Sequence, residues 1–320
     1  MQYRVFPRTN WRVSEIGYGT WGMAGWTGSD DAESLQAMER ALALGCNFFD
    51  TAFAYGSGHS ERLLGRLLRG WRGEHVYVAT KIPPKNGRFP GRADDPLADV
   101  FPAGHIREMT AKSLENLGLD CVDLQQLHVW SDAWAGDERW QRAVDDLKRE
   151  GLIRAFGISL NRWEPTSATK ALRTGLVDSV QVVYNVFDQN PEDELFPLCR
   201  ELNVAVIARV PFDEGGLTGA LAKDATFPEG DWRTTYFKPE NLRATLDRVE
   251  RLKAEVPEDM TLPELALRFI LEHPAVTTTI PGMRKVSHVE ASLAASDGRR
   301  LPPALLDELR KHRWERTRAR

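Results

Sequence analysis

The 320-residue chain carries only three cysteines and seven histidines, and its 42 basic residues nearly balance its 46 acidic ones. Cys46, Cys121 and Cys199 are too few and too scattered for a disulfide framework or a zinc site. Cys46 and Cys121 open apolar strand-like runs, which predicts buried, reduced thiols. A metal-dependent hydrolase needs several His and carboxylate ligands at strand ends. Here only His128 and Asp50 qualify, and Lys81 beside them would repel a cation. No apolar run approaches the ~18 residues of a membrane helix, and MQYRVFPRTN lacks the apolar core of a signal peptide. A net charge of −4 gives no footing for nucleic acid, and the arginine-rich stretch 310–320 reads as a solvated helix end. What remains is a globular, cytoplasmic chain with 42% hydrophobic and 28% charged residues. No composition break marks a linker, so residues 1–320 read as one domain.

What is present is alternation. Short β-branched runs are each followed by a helical pattern. Two short strands at the N-terminus (YRVF and WRVS) precede a first barrel strand ending near Gly17. Leu35, Met38 and Leu42 then recur at helical spacing, with Asp30 and Glu33 placed as a capping box. Further strands end at Asp50, Lys81, His128, Ser159, Asn185, Val210 and Pro281. A helix over 60–69 is expected to stop at Gly70. Eight strand–helix units predict an α/β fold, a closed (β/α)8 TIM barrel with an N-terminal β-hairpin and an extra C-terminal helix. An open doubly wound sheet is the alternative that spacing alone leaves standing. Two long connections, 83–104 and 211–240, follow strand C-termini and so fall on the face where barrels do chemistry.

Gly17, Gly19 and Gly22 spell GxGxxG, but the dinucleotide motif needs a helix to open at once and offer its N-terminus to a pyrophosphate. The stretch AGWTGSDD delays the helix to about Asp30. These glycines instead predict a strand-end backbone passing close to a ligand.

Asp50, Tyr55, Lys81 and His128 fall at or just beyond three consecutive strand ends and can therefore converge on one mouth. A tyrosine alone is a poor acid near neutrality. A neighbouring ammonium lowers its pKa, and a carboxylate keeps that ammonium charged. A histidine nearby can orient a carbonyl oxygen or relay its proton. Singly each residue has an ordinary explanation as cap, surface charge or packed ring; together they form a tuned proton donor that needs no metal. On the other side of the mouth, the loops DEGGLTG (213–219) and PGMRK (281–285) offer glycines, a helix N-terminus and Arg284, a setting for phosphate.

The strings FFDTAFAYG, VATK and LQQLH closely resemble the catalytic segments of the aldo-keto reductase superfamily, and the resemblance runs from IGYGTWG to IPGMR. It implies reduction of an aldehyde or ketone by hydride transfer, with Tyr55 as general acid, Lys81 and Asp50 tuning it and His128 orienting the carbonyl. It also implies a nicotinamide cofactor. Thr20 and Trp21 would line its nicotinamide end, with Ser159 and Gln181 on the carboxamide and Asn161 beside them. Arg209, Pro211, Phe212, Gly216 and Leu217 would follow the nucleotide. Arg284 would meet the 2′-phosphate with Gly282 among the cofactor contacts, Arg233 would be a weaker phosphate candidate, and His288 and Ser292 would stand at the adenine. Lys285 adds positive charge, which favours NADPH while leaving NADH possible. The chain departs from the family pattern at Arg209, where a stacking aromatic is common, and at His288, Ala291 and Ser292, where Gln or Arg, Glu and Asn are usual. Trp21, Phe53 and Trp130 are expected to wall the small-molecule carbonyl substrate, with Phe89 or Phe101 closing from above. Relatives on this fold also act as non-catalytic nucleotide-binding redox sensors or regulatory subunits, the alternative reading.

Overall fold

A computed structural model describes residues 1–23 and 29–316. The chain opens with the antiparallel hairpin β1 (Tyr3–Phe6) and β2 (Trp11–Ser14), paired from Tyr3 opposite Ser14 to Phe6 opposite Trp11. Eight parallel strands follow: β3 (Tyr18–Gly19), β4 (Phe48–Asp50), β5 (Tyr77–Ile82), β6 (Val122–Leu127), β7 (Ile153–Ser159), β8 (Ser179–Val183), β9 (Ala205–Arg209) and β10 (Val276–Thr279). Each pairs with its sequence neighbour, in the order β3 to β10. Helices separate the strands, because a parallel crossover must span a sheet face and cover its apolar side.

The sheet closes on itself. Ile16 bridges Thr279 and Gly19 bridges Gly282, both in parallel. Gly17 N–H donates to Thr279 O at 2.8 Å and Gly19 N–H to Pro281 O at 2.9 Å. A Cβ on Gly19 would stand 2.6 Å from Ile280 O across this seam, and one on Gly17 2.9 Å from Phe48 O of β4 on the other side. The close approach that the sequence suggested is to the neighbouring strand backbone. A barrel replaces the doubly wound alternative.

The barrel interior is filled by Phe48, Ala79, Leu124, Ala155, Ala205 and Ile207, and the hairpin's Phe6 and Val13 belong to the same cluster. The hairpin therefore plugs the N-terminal end, leaving the C-terminal end for chemistry. The helix Asp31–Ala43 begins as its sequence predicts, with the Asp30 carboxylate accepting from Glu33 N–H at 2.8 Å. The helix His59–Gly70 ends without a left-handed glycine cap: Gly70 is its last residue and the chain leaves extended at Trp71. Cys46 and Cys199 are buried, whereas Cys121 is only partly so. The extra C-terminal helix is Pro303–Arg310. Among the described residues no helix is long and apolar enough to cross a membrane.

Both long connections are more ordered than their Pro and Gly content suggests. Residues 83–104 contain a short helix, Leu97–Val100, and run into the helix that begins at Ala103. Residues 211–240 contain the 3-10 segment Asp213–Thr218 and the helix Trp232–Tyr236.

Candidate active site

Strand register assembles the first half of the site. Asp50 ends β4 opposite Ala79 of β5. Lys81, two residues beyond Ala79, therefore points to the same side as its neighbour's partner. Lys81 lies opposite Gln126 of β6, and His128 follows two residues later. Tyr55 arrives from a tight turn after β4, its N–H bonded to Ala52 O at 3.0 Å. The four sequence-predicted residues thus meet.

Lys81 is completely buried. Its Nζ donates to Asp50 Oδ1 at 2.5 Å, to Thr51 O at 2.8 Å and to Tyr55 Oη at 3.3 Å. All three ammonium donors are used. The second Asp50 oxygen accepts from Gln181 Nε2 at 2.7 Å and Gln126 Nε2 at 3.3 Å. Gln126 escaped the sequence reading, although its even spacing from His128 places both on one strand face. Burial alone would strip Lys81 of its proton, but the Asp50 charge and the Tyr55 phenol outweigh it and hold the lysine above its ordinary value.

Tyr55 corrects the sequence expectation. Burial pushes the phenol above 10.0, and the opposing pull of Lys81 does not offset it. The group is a proton-bearing phenol at neutral pH, with an ammonium in place to stabilise the anion left when the proton goes. His128 is driven well below 6.5 by burial, then by the Lys81 and Arg209 charges. Its imidazole is neutral, and Nδ1 is buried without a partner. The Tyr55 and His128 rings meet edge to face at 5.7 Å, and Phe89 stands on the other side of His128 at 5.1 Å. Phe89 is half exposed and is positioned to close the mouth. Phe101 and Trp130 are not. Both are buried, Phe101 against Trp134 and Trp130 between Trp134 and Trp140. Phe53 is partly buried and Trp21 37% exposed.

Asn161 has another task than the one the resemblance implied. Its amide accepts from Gly91 N–H at 3.2 Å, donates to Gly91 O at 3.1 Å and to Trp130 O at 3.0 Å, and meets Glu164 at 2.7 Å. Fully engaged, it clasps the loop 83–104 to the end of β7. Thr20 is likewise committed, to Asp50 O and Ser60. Ser159 ends β7 opposite Gln181 of β8.

The second half of the site follows β9 and β10. Val210 sits at φ 58°, a costly conformation for a β-branched residue, and Asp213 and Glu214 follow at 47° and 57°. Buried ionic ties hold this bend. Arg162 pairs with Glu214, and Tyr236 Oη donates to Asp213. Arg316 reaches Asp213 at 3.0 Å and Asp188 at 2.8 Å. The arginine-rich tail is therefore not solvated throughout: Arg316 is buried, its guanidinium over the Trp314 ring at 4.4 Å. Two buried carboxylates outcompete water for it; residues 317–320 lie outside the described ones. Pro211 is buried and Phe212 partly so, while Leu217 turns its side chain into the core. Gly216 lets Thr245 approach, since a Cβ there would stand 2.8 Å from Thr245 Cγ2.

A phosphate setting survives at β10. The helix Val286–Ala294 begins without a side-chain cap on its N-terminal N–H groups. Arg284 packs over Gly22, where a Cβ would come within 3.0 Å of its Cδ, and its Nη1 is buried without a partner. Gly282 faces open space. An uncapped helix start beside an unsatisfied guanidinium and an accessible backbone fits an anion such as a nucleotide phosphate. Arg233 is held by Asp231 at 2.7 Å, and Asp231 in turn feels Arg284. The loop 211–240 thus reaches the same corner. His288 is exposed and Ser292 buried on the adjoining helix. Among the described residues no group of three or more His, Cys, Asp or Glu is gathered to hold a metal ion.

The sequence model of the Aldo/keto reductase family matches residues 15–313. The NADH-specific methylglyoxal reductase of Escherichia coli is 29% identical over 299 residues, covering 90% of this chain and 91% of that protein. The aldo-keto reductase yakc, NADP(+), of Schizosaccharomyces pombe is 29% identical over 294 residues, covering 88% and 84%. Among solved structures, the glycerol dehydrogenase AKR11B4 of Gluconobacter oxydans superposes with a TM-score of 0.80 at 26% identity, over 97% of this chain and 94% of that one. With a closed barrel and a match over nearly its whole length, the chain belongs to the aldo/keto reductase family of oxidoreductases.

Proposed function

We propose that this protein reduces an aldehyde or ketone to the alcohol, with NADPH preferred and NADH possible, and with Tyr55 as the general acid. The observation that carries the reading is a buried ammonium shared between a carboxylate and a phenol, with Lys81 Nζ 2.5 Å from Asp50 and 3.3 Å from Tyr55 Oη. A bound reduced nicotinamide supplies hydride to the carbonyl carbon. Tyr55 holds the proton for the oxygen, since its raised pKa keeps the phenol intact at neutral pH. As the oxygen gains negative charge it becomes the stronger base, and the proton moves from Oη. Lys81 then stabilises the phenolate, and Asp50 holds Lys81 in place. Neutral His128 offers a ring nitrogen to the carbonyl oxygen, which orients it.

Arg284, Gly282 and the start of the helix Val286–Ala294 are the residues we assign to the cofactor phosphates, with Arg233 nearby. Lys285 adjoins Arg284 and favours the nucleotide that carries the additional 2′-phosphate. The relatives themselves differ, one being named as NADH-specific and another with NADP(+). Ser159 and Gln181 stand for the carboxamide, and Trp21, Phe53 and Phe89 for the substrate wall. We take residues 1–320 as one working unit in the cytoplasm, where the free thiols at Cys46, Cys121 and Cys199 stay reduced.

Purified protein should oxidise NADPH in the presence of a nitrobenzaldehyde. Tyr55→Phe should lower turnover by about 10²-fold or more, the scale of a lost general acid, while the NADPH dissociation constant stays within about twofold on the scale of a single lost neutral hydrogen bond. Turnover at the wild-type rate in that variant would refute the role. Nucleotide binding without turnover across a broad carbonyl panel would favour the sensor reading instead.

A further inference from the structure

Three cations stand at the rim beyond β7 and around the tetrad. Lys81 has Asp50 and Arg162 has Glu214. Arg209, the last residue of β9, makes a hydrogen bond from Nη2 to the neutral Leu160 O at 3.0 Å, and its Nε is buried without a partner. No carboxylate among the described residues forms an ion pair with it. Strand register sets it beside Val183 at the end of β8, and its bond to Leu160 ties it to the residue after Ser159, on the C-terminal rim that carries Asp50, Lys81 and His128.

Retaining a charge here is costly. Burial, then repulsion from Arg162, lowers the guanidinium to about 10, a large fall for a group that normally titrates near 12.5. Arginine still carries its proton at physiological pH, so the mouth holds a fixed positive charge with no neutralising carboxylate of its own.

That charge meets the reaction at one point. Hydride transfer requires the donor carbon to sit about 3–3.5 Å from a carbonyl carbon, whose oxygen in turn lies on Tyr55 Oη. Arg209 stands on that same C-terminal rim, and its charge helps to lower His128. Before transfer the dihydronicotinamide ring is neutral; after it the ring is a cation. The pair of electrons and the hydrogen nucleus leave together for the carbonyl carbon, Tyr55 supplies the proton to oxygen, and the ring retains the positive charge. Two like charges a few ångströms apart in a shielded site repel strongly.

We propose that Arg209 is a specificity-determining residue that discriminates by charge between the two redox forms of the cofactor, so that the protein binds reduced nicotinamide tightly and releases the oxidised form. The inference rests on the function proposed above and deepens it. To a guanidinium that pairs with no carboxylate among the described residues, it assigns a purpose other than the π-stacking of an aromatic ring. The neutral ring can lie against the flat guanidinium face, whereas the oxidised ring meets its charge. Release of the oxidised cofactor thereby gains a built-in push, and the bound reduced cofactor becomes a milder hydride donor.

The test is a pair of equilibrium titrations, NADPH and NADP+, followed by protein fluorescence in the wild type, Arg209→Gln and Arg209→Lys. The wild type should bind NADPH at least about tenfold tighter than NADP+. The ratio should collapse toward unity in Arg209→Gln and persist in Arg209→Lys, which keeps the charge. A tenfold ratio corresponds to a rise of about 30 mV in the midpoint potential of the bound couple. Because the readout is a ratio of two affinities, a general loss of packing that weakens both leaves it unmoved. A wild-type ratio near one, or a ratio unchanged in Arg209→Gln, would overturn the assignment. Failure of the wild type to bind either nucleotide would instead overturn the reading on which it rests.

Discussion

At the ends of β4, β5 and β6, charges are answered by groups that the strands bring together: Lys81 by Asp50, and Asp50 again by Gln126, with Gln181 reaching it from β8 across the barrel mouth. Beyond β9 the ties come from loop and tail residues outside the sheet instead. Arg316 reaches back 128 residues to Asp188 and 103 to Asp213, and the backbone between them is bent through Val210, Asp213 and Glu214 at positive φ. The first region inherits its geometry from the sheet and stands ready before any ligand arrives. The second is bent at positive φ and held by partners from outside the sheet, a clamp of buried ion pairs.

The comparison can be broken most directly at Lys81. Lys81→Met strands a buried carboxylate, and urea unfolding should record a loss of about 3–5 kcal/mol; a loss under 1 kcal/mol would mean that the strand-borne side is no more pre-organised than the clamp. Next comes Arg316→Ala. It leaves Asp188 and Asp213 buried, but Trp163 and Asn185 still bond Asp188, so a smaller cost of about 2 kcal/mol is expected. NADPH affinity should fall while single-turnover reduction at saturating cofactor stays near wild type; equal damage to both would merge the two regions into one. Asn161→Ala should cost about 1–2 kcal/mol and raise the KM for the carbonyl by freeing the Gly91 loop. Its NADPH dissociation constant should not move, which separates the clasp from a carboxamide contact. The smallest effect is in pH. With the Tyr55 phenol raised, the acid form persists up to and beyond pH 10.0, so reduction should be level through neutrality and decline only in strong alkali. A decline near pH 8 would place the phenol lower than its burial requires.

The tetrad was legible because residue type and strand parity together specify direction: a group two positions beyond another on a strand shares its side. That logic failed at Trp130. It has the parity of His128, but β6 ends at Leu127 and the ring goes into a stack with Trp134 and Trp140. Parity ends with the strand. The direction of the Tyr55 shift also escaped the sequence, which names the neighbouring charge but not the degree of burial that outweighs it. Asn161 and Arg316 were misread for a third reason. Their partners, Gly91, Asp188 and Asp213, are remote in sequence, and no local periodicity encodes a tie across 70 residues or more. The eight-unit architecture needed only local patterns, which is why it could be read.

The seam between the first and last strands has a consequence for biogenesis. Ile16 and Gly19 wait for Thr279 and Gly282, so a chain emerging from the ribosome carries an unpaired strand edge until nearly all of it has been made. Closure at that seam comes last and over the longest contour of any pairing in the barrel sheet, a slow, non-local step. Until then β10 has not covered the edge of β9 either, and the nascent sheet is exposed to pairing with other chains.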